Sequence, residues 1–134
     1  MNSFKDLEVW RVAHEYVLAI YKKTASFPKT EEYRLTNQLI RASISIPANI
    51  AEGCGRKTTA ELIHFLTISR GSTEECKYFL ILSKDLNYIN IEEFTSLNSS
   101  LDSIGKMLNG LLSRLKQKLT QTTNHQSQNT THNG

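Results

Sequence analysis

Apolar side chains recur along this chain at steps of three and four, in four blocks separated by short polar or Gly/Pro-containing breaks. That spacing predicts helices that each bury one face. The first block covers about residues 4–25 and sets Leu7, Trp10, His14, Val17 and Tyr21 on one stripe. Val9, Tyr16 and Ile20 widen the stripe sideways, and Pro28 closes the block. The second block covers about residues 31–52 and aligns Leu35, Leu39, Ala42, Ile46 and Ile50. Thr30 is the expected N-cap, and Glu31 and Glu32 fall in the first turn, where the helix dipole favours anions. Pro47 inside this block removes a backbone donor and predicts a bend over residues 43–47, with Ser43 or Ser45 satisfying a freed backbone group. Gly53-Cys54-Gly55 predicts the stop.

The third block covers about residues 59–86. Thr58 and Glu61 have capping-box spacing, and Leu62, Phe65, Leu66, Ser69, Ser72, Cys76, Phe79 and Leu86 share a face. The small residues in that face permit a neighbouring backbone to come close. Tyr78 to Leu82 are five apolar residues in succession, which point all round a helix and predict burial on more than one side. The fourth block covers about residues 91–119. Asn90 and Glu93 repeat the capping-box spacing, and Phe94, Leu97, Leu101, Ile104, Leu108, Leu111 and Leu115 form a heptad seam.

Short links force consecutive helices antiparallel. The prediction is an all-α, antiparallel up-down-up-down four-helix bundle within residues 1–119. Residues 120–134 hold no charged and no large apolar side chain, so they are expected to form a disordered polar tail.

Composition narrows the class. The chain has 134 residues, 16 Lys+Arg against 13 Asp+Glu, two Cys, two Pro and six Gly. That is one domain, mildly basic, with no disulfide framework and too little Pro and Gly for a turn-rich β fold. No apolar run approaches a membrane span, and the opening MNSFKDLEVW lacks a signal-peptide layout. A cytoplasmic protein with reduced thiols is expected. Its surplus of apolar positions in blocks one and three exceeds what one bundle hides, which predicts a homo-oligomer with those helices contributing.

Candidate chemistry is sparse. Glu61-Leu62-Ile63-His64 has the Glu-x-x-His spacing of di-iron bundles, yet that site needs two such motifs and two more carboxylates. His64 also lies roughly 200° around the helix from Leu62, away from the core face. No catalytic residue, metal ligand or cofactor is therefore assigned. Arg56 and Lys57 beside Cys54 would favour its thiolate somewhat. Cys76 reads as core filler, and His14 as a packed, hydrogen-bonded histidine.

Two sets of polar residues matter more. Arg41, Asn49, Glu52, Arg70 and Glu75 (or Glu74) are spaced to face one another across the Gly53 turn, as a salt-bridge network between helices or subunits, the alternative being a polar ligand site. Lys22 and Lys23 end helix one, Arg56 and Lys57 lie in the second turn, and Arg114, Lys116 and Lys118 end helix four with no acid after Asp102. These seven cations are the candidate contacts to RNA or DNA phosphates. The alternative is ordinary solvated charge on a protein-binding scaffold or accessory subunit.

The run from Gln38 to Gly53, QLIRASISIPANIAEG, followed by Gly55-Arg56, resembles the signature of the four-helix-bundle proteins encoded in intervening sequences of bacterial 23S rRNA genes. That family includes the accessory variability protein of diversity-generating retroelements. Phe4-x-x-Leu7-x-Val9-Trp10, Phe27-Pro28 with Glu32-x-x-Leu35, Phe65-Leu66 with Arg70-Gly71-Ser72-x-x-Glu75, and Lys106-Met107-Leu108-x-Gly110-Leu111 extend the match over about residues 4–115. Ile40 departs from the Arg or Lys common in relatives. The resemblance implies an antiparallel four-helix bundle, a ring-like homopentamer and no known enzymatic activity. For the retroelement branch it implies a basic surface that binds nucleic acid and a reverse transcriptase, and the net +3 is modest for that branch.

Overall fold

The computed structural model describes residues 3–132, with side chains as far as residue 121. Four helices follow in order: α1 (Glu8–Thr24), α2 (Asn37–Cys54), α3 (Thr59–Asp85) and α4 (Ile91–His132). α1 packs on α2 and α4, and α3 packs on the same two, so α1 and α3 occupy opposite corners of a four-helix bundle. The helices run antiparallel, as the cross-helix pairs show. Arg70, Lys77 and Lys84 of α3 meet Asn109, Asp102 and Phe94 of α4 in turn.

The caps explain the boundaries. Thr58 accepts from the Glu61 N–H at 3.1 Å at the start of α3. Asn90 and Glu93 form a complete capping box at the start of α4: Glu93 N–H to Asn90 Oδ1 at 2.8 Å and Asn90 N–H to Glu93 Oε1 at 2.9 Å. α3 ends in a Schellman turn, with Asn87 left-handed at φ 64°, its N–H on the Lys84 carbonyl and the Tyr88 N–H on the Ser83 carbonyl, both at 2.9 Å.

The entry to α2 differs from the expectation. Thr30 does not cap it. A 3₁₀ turn at Lys29–Glu31 and a π turn at Glu32–Thr36 come first. The wider π turn brings Leu35 into the core beside Leu39. At the other end, Gly55 supplies the C-cap while Gly53 stays inside the helix, buried. α4 continues to His132, past Leu119, where the sequence pattern places the end of the bundle. No Gly or Pro interrupts residues 120–132, and propagating an existing helix is easy. Of the expected polar tail, residues 133–134 and all side chains from 122 onward lie outside the described residues.

The core stripe of α1 also differs. Val9, Ala13, Tyr16, Val17, Ile20 and Thr24 are buried, whereas His14 and Tyr21 are exposed and Trp10 is half-buried. Both sets satisfy helical spacing, and the more aliphatic one takes the interior. In α4, Leu97, Leu101, Ile104, Leu108 and Leu112 fill the core, close to the heptad reading. In α3 the buried set is Leu66, Ser69, Thr73, Cys76, Leu80 and Ser83.

Small side chains let α2 and α3 approach closely. The Ser69 hydroxyl donates to the Ile46 carbonyl at 2.8 Å, and Ser45 Oγ lies 2.8 Å from Ser72 Oγ. A Cβ on Gly53 would sit 3.0 Å from Phe65 Cβ and 3.1 Å from Leu62 Cδ1. Phe65 Cβ is tied directly to its backbone and cannot swing aside. Gly53→Ala is therefore expected to destabilise the bundle by about 1–3 kcal/mol through overpacking, even though alanine is the better helix former by about 1 kcal/mol. Urea denaturation checks this, the expected result being a lower midpoint at unchanged m-value.

Candidate nucleic-acid and polar surfaces

The antiparallel register sorts the seven candidate cations into two groups. The start of α3 lies level with the stretch of α4 near residue 120, so Arg56, Lys57, Arg114, Lys116 and Lys118 gather at one end. Lys22 and Lys23 lie at the other end, beside the start of α4.

Partners divide them further. Lys23 forms an ion pair with Glu93, which already serves the capping box. The Glu93 carboxyl is held below its ordinary value, first by the Asn90 backbone N–H and then by the Lys23 ammonium. Arg56 is held by Glu52 at 2.6 Å and Glu61 at 3.9 Å, and its guanidinium stacks 4.8 Å over the Phe65 ring. Lys57, Arg114 and Lys116 are exposed and make no ion pair among the described residues.

The five network residues are not joined to one another within the subunit. Arg41 and Glu75 line one cleft of about 440 Å³ between α2 and α3, with Gln38, Ala42, Ser45 and Ser72. Asn49 donates to the Ser45 carbonyl at 2.8 Å and to Ser45 Oγ at 2.9 Å. Glu52 turns to Arg56. Arg70 sits on the opposite flank of α3, where its guanidinium reaches Asn109 Oδ1 at 3.4 Å. At 100° per residue, Arg70 lies roughly 160° from Ser72, a separation that the sequence alone discloses. Glu74 pairs with Lys77, which also bridges to Asp102 of α4 at 3.1 Å.

His14 is exposed and stacks on Trp10, rings 5.1 Å apart and 8° from parallel. The Cys54 thiol is raised by burial, opposite to the effect expected of Arg56 and Lys57. Cys76 is fully buried, with Ser43 Oγ at 3.5 Å, and burial pushes its thiol up as well. The same Ser43 hydroxyl lies 3.2 Å from Tyr16 Oη and donates to the Leu39 carbonyl at 2.7 Å. Spacing alone does not disclose this buried cluster, although Tyr16 and Ser43 each fall within their apolar blocks. Among the described residues no three His, Cys, Asp or Glu gather to hold a metal, and no helix is long and apolar enough to cross a membrane.

Residues 5–110 match the model of a known family, the 23S rRNA-intervening sequence proteins. The chain belongs to that family. A crystal structure of a protein from Bacteroides thetaiotaomicron, described as a protein of unknown function from the S23 ribosomal protein family, superposes with a TM-score of 0.71. It is 28% identical and covers 78% of this chain and 97% of its own. No curated protein matches. The intervening-sequence family thus supplies the fold and points to no enzyme class.

The lowered Glu93 carboxyl has a pH consequence with a definite sign. A group whose folded-state value is depressed contributes stability above its unfolded value, and that contribution is lost as pH falls through the folded value. Glu93→Gln is expected to flatten the loss of stability on acidification below about pH 4.3, the ordinary glutamate value. Thermal melts of both proteins from pH 7 to pH 3 check it, a steeper acid slope belonging to the native sequence.

Proposed function

We propose that this protein is a cytoplasmic, non-catalytic, self-associating helical bundle that binds RNA or DNA through its cationic end. The observation that supports this most is the charge distribution on α4. Lys106, Arg114, Lys116 and Lys118 lie beyond Asp102, and no acid follows. Arg56 and Lys57 come from the neighbouring turn to the same end. Copies gathered side by side would multiply these contacts, giving phosphate affinity without base reading and with strong salt dependence.

Self-association is supported by apolar side chains left in solvent. Leu18 is 56% and Tyr21 51% exposed on α1, and Tyr78 is 58% and Ile81 43% exposed on α3. Val9 and Tyr16, which also contribute to the surplus in the sequence, are inside. Because α1 and α3 stand at opposite corners, contact between their outer faces runs head to tail from copy to copy. Such a contact builds a ring where the rotation closes. A count of five and a reverse-transcriptase partner rest on the family resemblance alone.

A second reading, a protein-binding scaffold without nucleic acid, is favoured by the neutralisation of Arg56 and Lys23. Filter binding of a structured RNA separates the two. The logarithm of the binding constant is expected to fall linearly with log salt, and the double variant Arg114→Ala/Lys116→Ala is expected to reduce that slope by about two per copy. Negligible retention at low salt would leave the scaffold.

A further inference from the structure

The cleft between α2 and α3 carries two opposite charges that the subunit leaves unused. Arg41 and Glu75 both line it and both are exposed, yet neither makes an ion pair or hydrogen bond among the described residues. Its floor is built. Ser45 Oγ and Ser72 Oγ meet at 2.8 Å across the helices, and Asn49 locks Ser45 from below. On the helix surfaces nearby, Ile44 follows Arg41 by three residues on α2, and Ile68 precedes Ser72 by one turn on α3. Each is 39% exposed.

Gly71 adds an independent observation. It lies mid-helix, next to Ser72, where glycine costs about 1 kcal/mol against alanine. A Cβ there would meet nothing within 4 Å. The fold of one subunit gives no reason for that glycine, in contrast to Gly53. Close approach by another molecule does give one.

We infer that this α2–α3 cleft is a contact surface for a second copy of the chain, in which Arg41 of one copy pairs with Glu75 of the partner subunit over Gly71. The choice of occupant follows from the charges. A groove that presents one cation and one anion, both unpaired, is complementary to the same groove on another copy. A nucleic acid would meet the Glu75 carboxylate, and a uniformly acidic or basic partner would leave one of the two charges opposed. The inference rests on the self-association proposed above and adds to its α1–α3 contact a second one, on α2 and α3.

The test is sedimentation equilibrium of the full chain, with circular dichroism confirming that each variant is folded. The native protein is expected to be larger than one chain at micromolar concentration. Arg41→Glu and Glu75→Arg alone each place like charges in contact and are expected to weaken association at least tenfold. The double variant R41E/E75R restores opposite charges between copies and is expected to recover the native mass. Gly71→Ala is expected to raise helix content or melting temperature of the dissociated subunit while weakening association. A native protein that stays at 15.2 kDa overturns the self-association reading and this one with it. An oligomer whose mass is indifferent to both single charge variants and to Gly71→Ala overturns the cleft alone and leaves self-association standing.

Discussion

Close approach of α2 to α3 is the constraint on which the rest of the bundle depends. It requires small residues at the contact, and the chain supplies Gly53, Ser45, Ser69 and Ser72. Three of these bring hydroxyls into a region short of water, where an unpaired polar group is costly. Each finds a partner across or along the helices: Ser69 on the Ile46 carbonyl, Ser45 and Ser72 on one another. Polar satisfaction and tight packing are thus one arrangement. The antiparallel register that they fix also sets which charges stand at which end.

That register decides what the surface can do. It places the cationic half of α4 beside the α2–α3 turn and sends Lys22 and Lys23 to the acidic start of α4. One cation in each group is committed to holding the fold. Lys23 secures the Glu93 capping box, and Arg56 ties the end of α2 to the start of α3 through Glu52 and Glu61. A carboxylate that caps a helix and binds a lysine of another helix couples local to tertiary structure.

Sequence patterns disclosed the helices because four amphipathic blocks with capping signals leave few alternatives. Thr58, Asn90 and Glu93 behave as their spacing indicates. The inward face of α1 was less legible, since Trp10, His14 and Tyr21 repeat at the same interval as Val9, Ala13, Tyr16 and Ile20. Periodicity cannot rank two apolar faces of one helix. The start of α2 misled for a different reason. Acidic residues after Thr30 suit a capped α-helix and a 3₁₀ or π turn alike, and the demand that Leu35 reach the core selects between them. For the polar residues, spacing gave the face but not the partner. Arg41 and Glu75 do share a cleft, while Glu52 and Arg70 find nearer company in Arg56 and Asn109.

The cluster of Tyr16, Ser43 and Cys76 lies at the centre of the molecule, where three helices meet. A thiol sealed there reacts with an alkylating reagent only when the interior opens. The rate of that chemistry therefore times the excursions of the whole bundle. Cys54, partly exposed at the end of α2, meets the same reagent without such an opening and so supplies the reference rate. The two thiols together make the bundle its own clock for breathing.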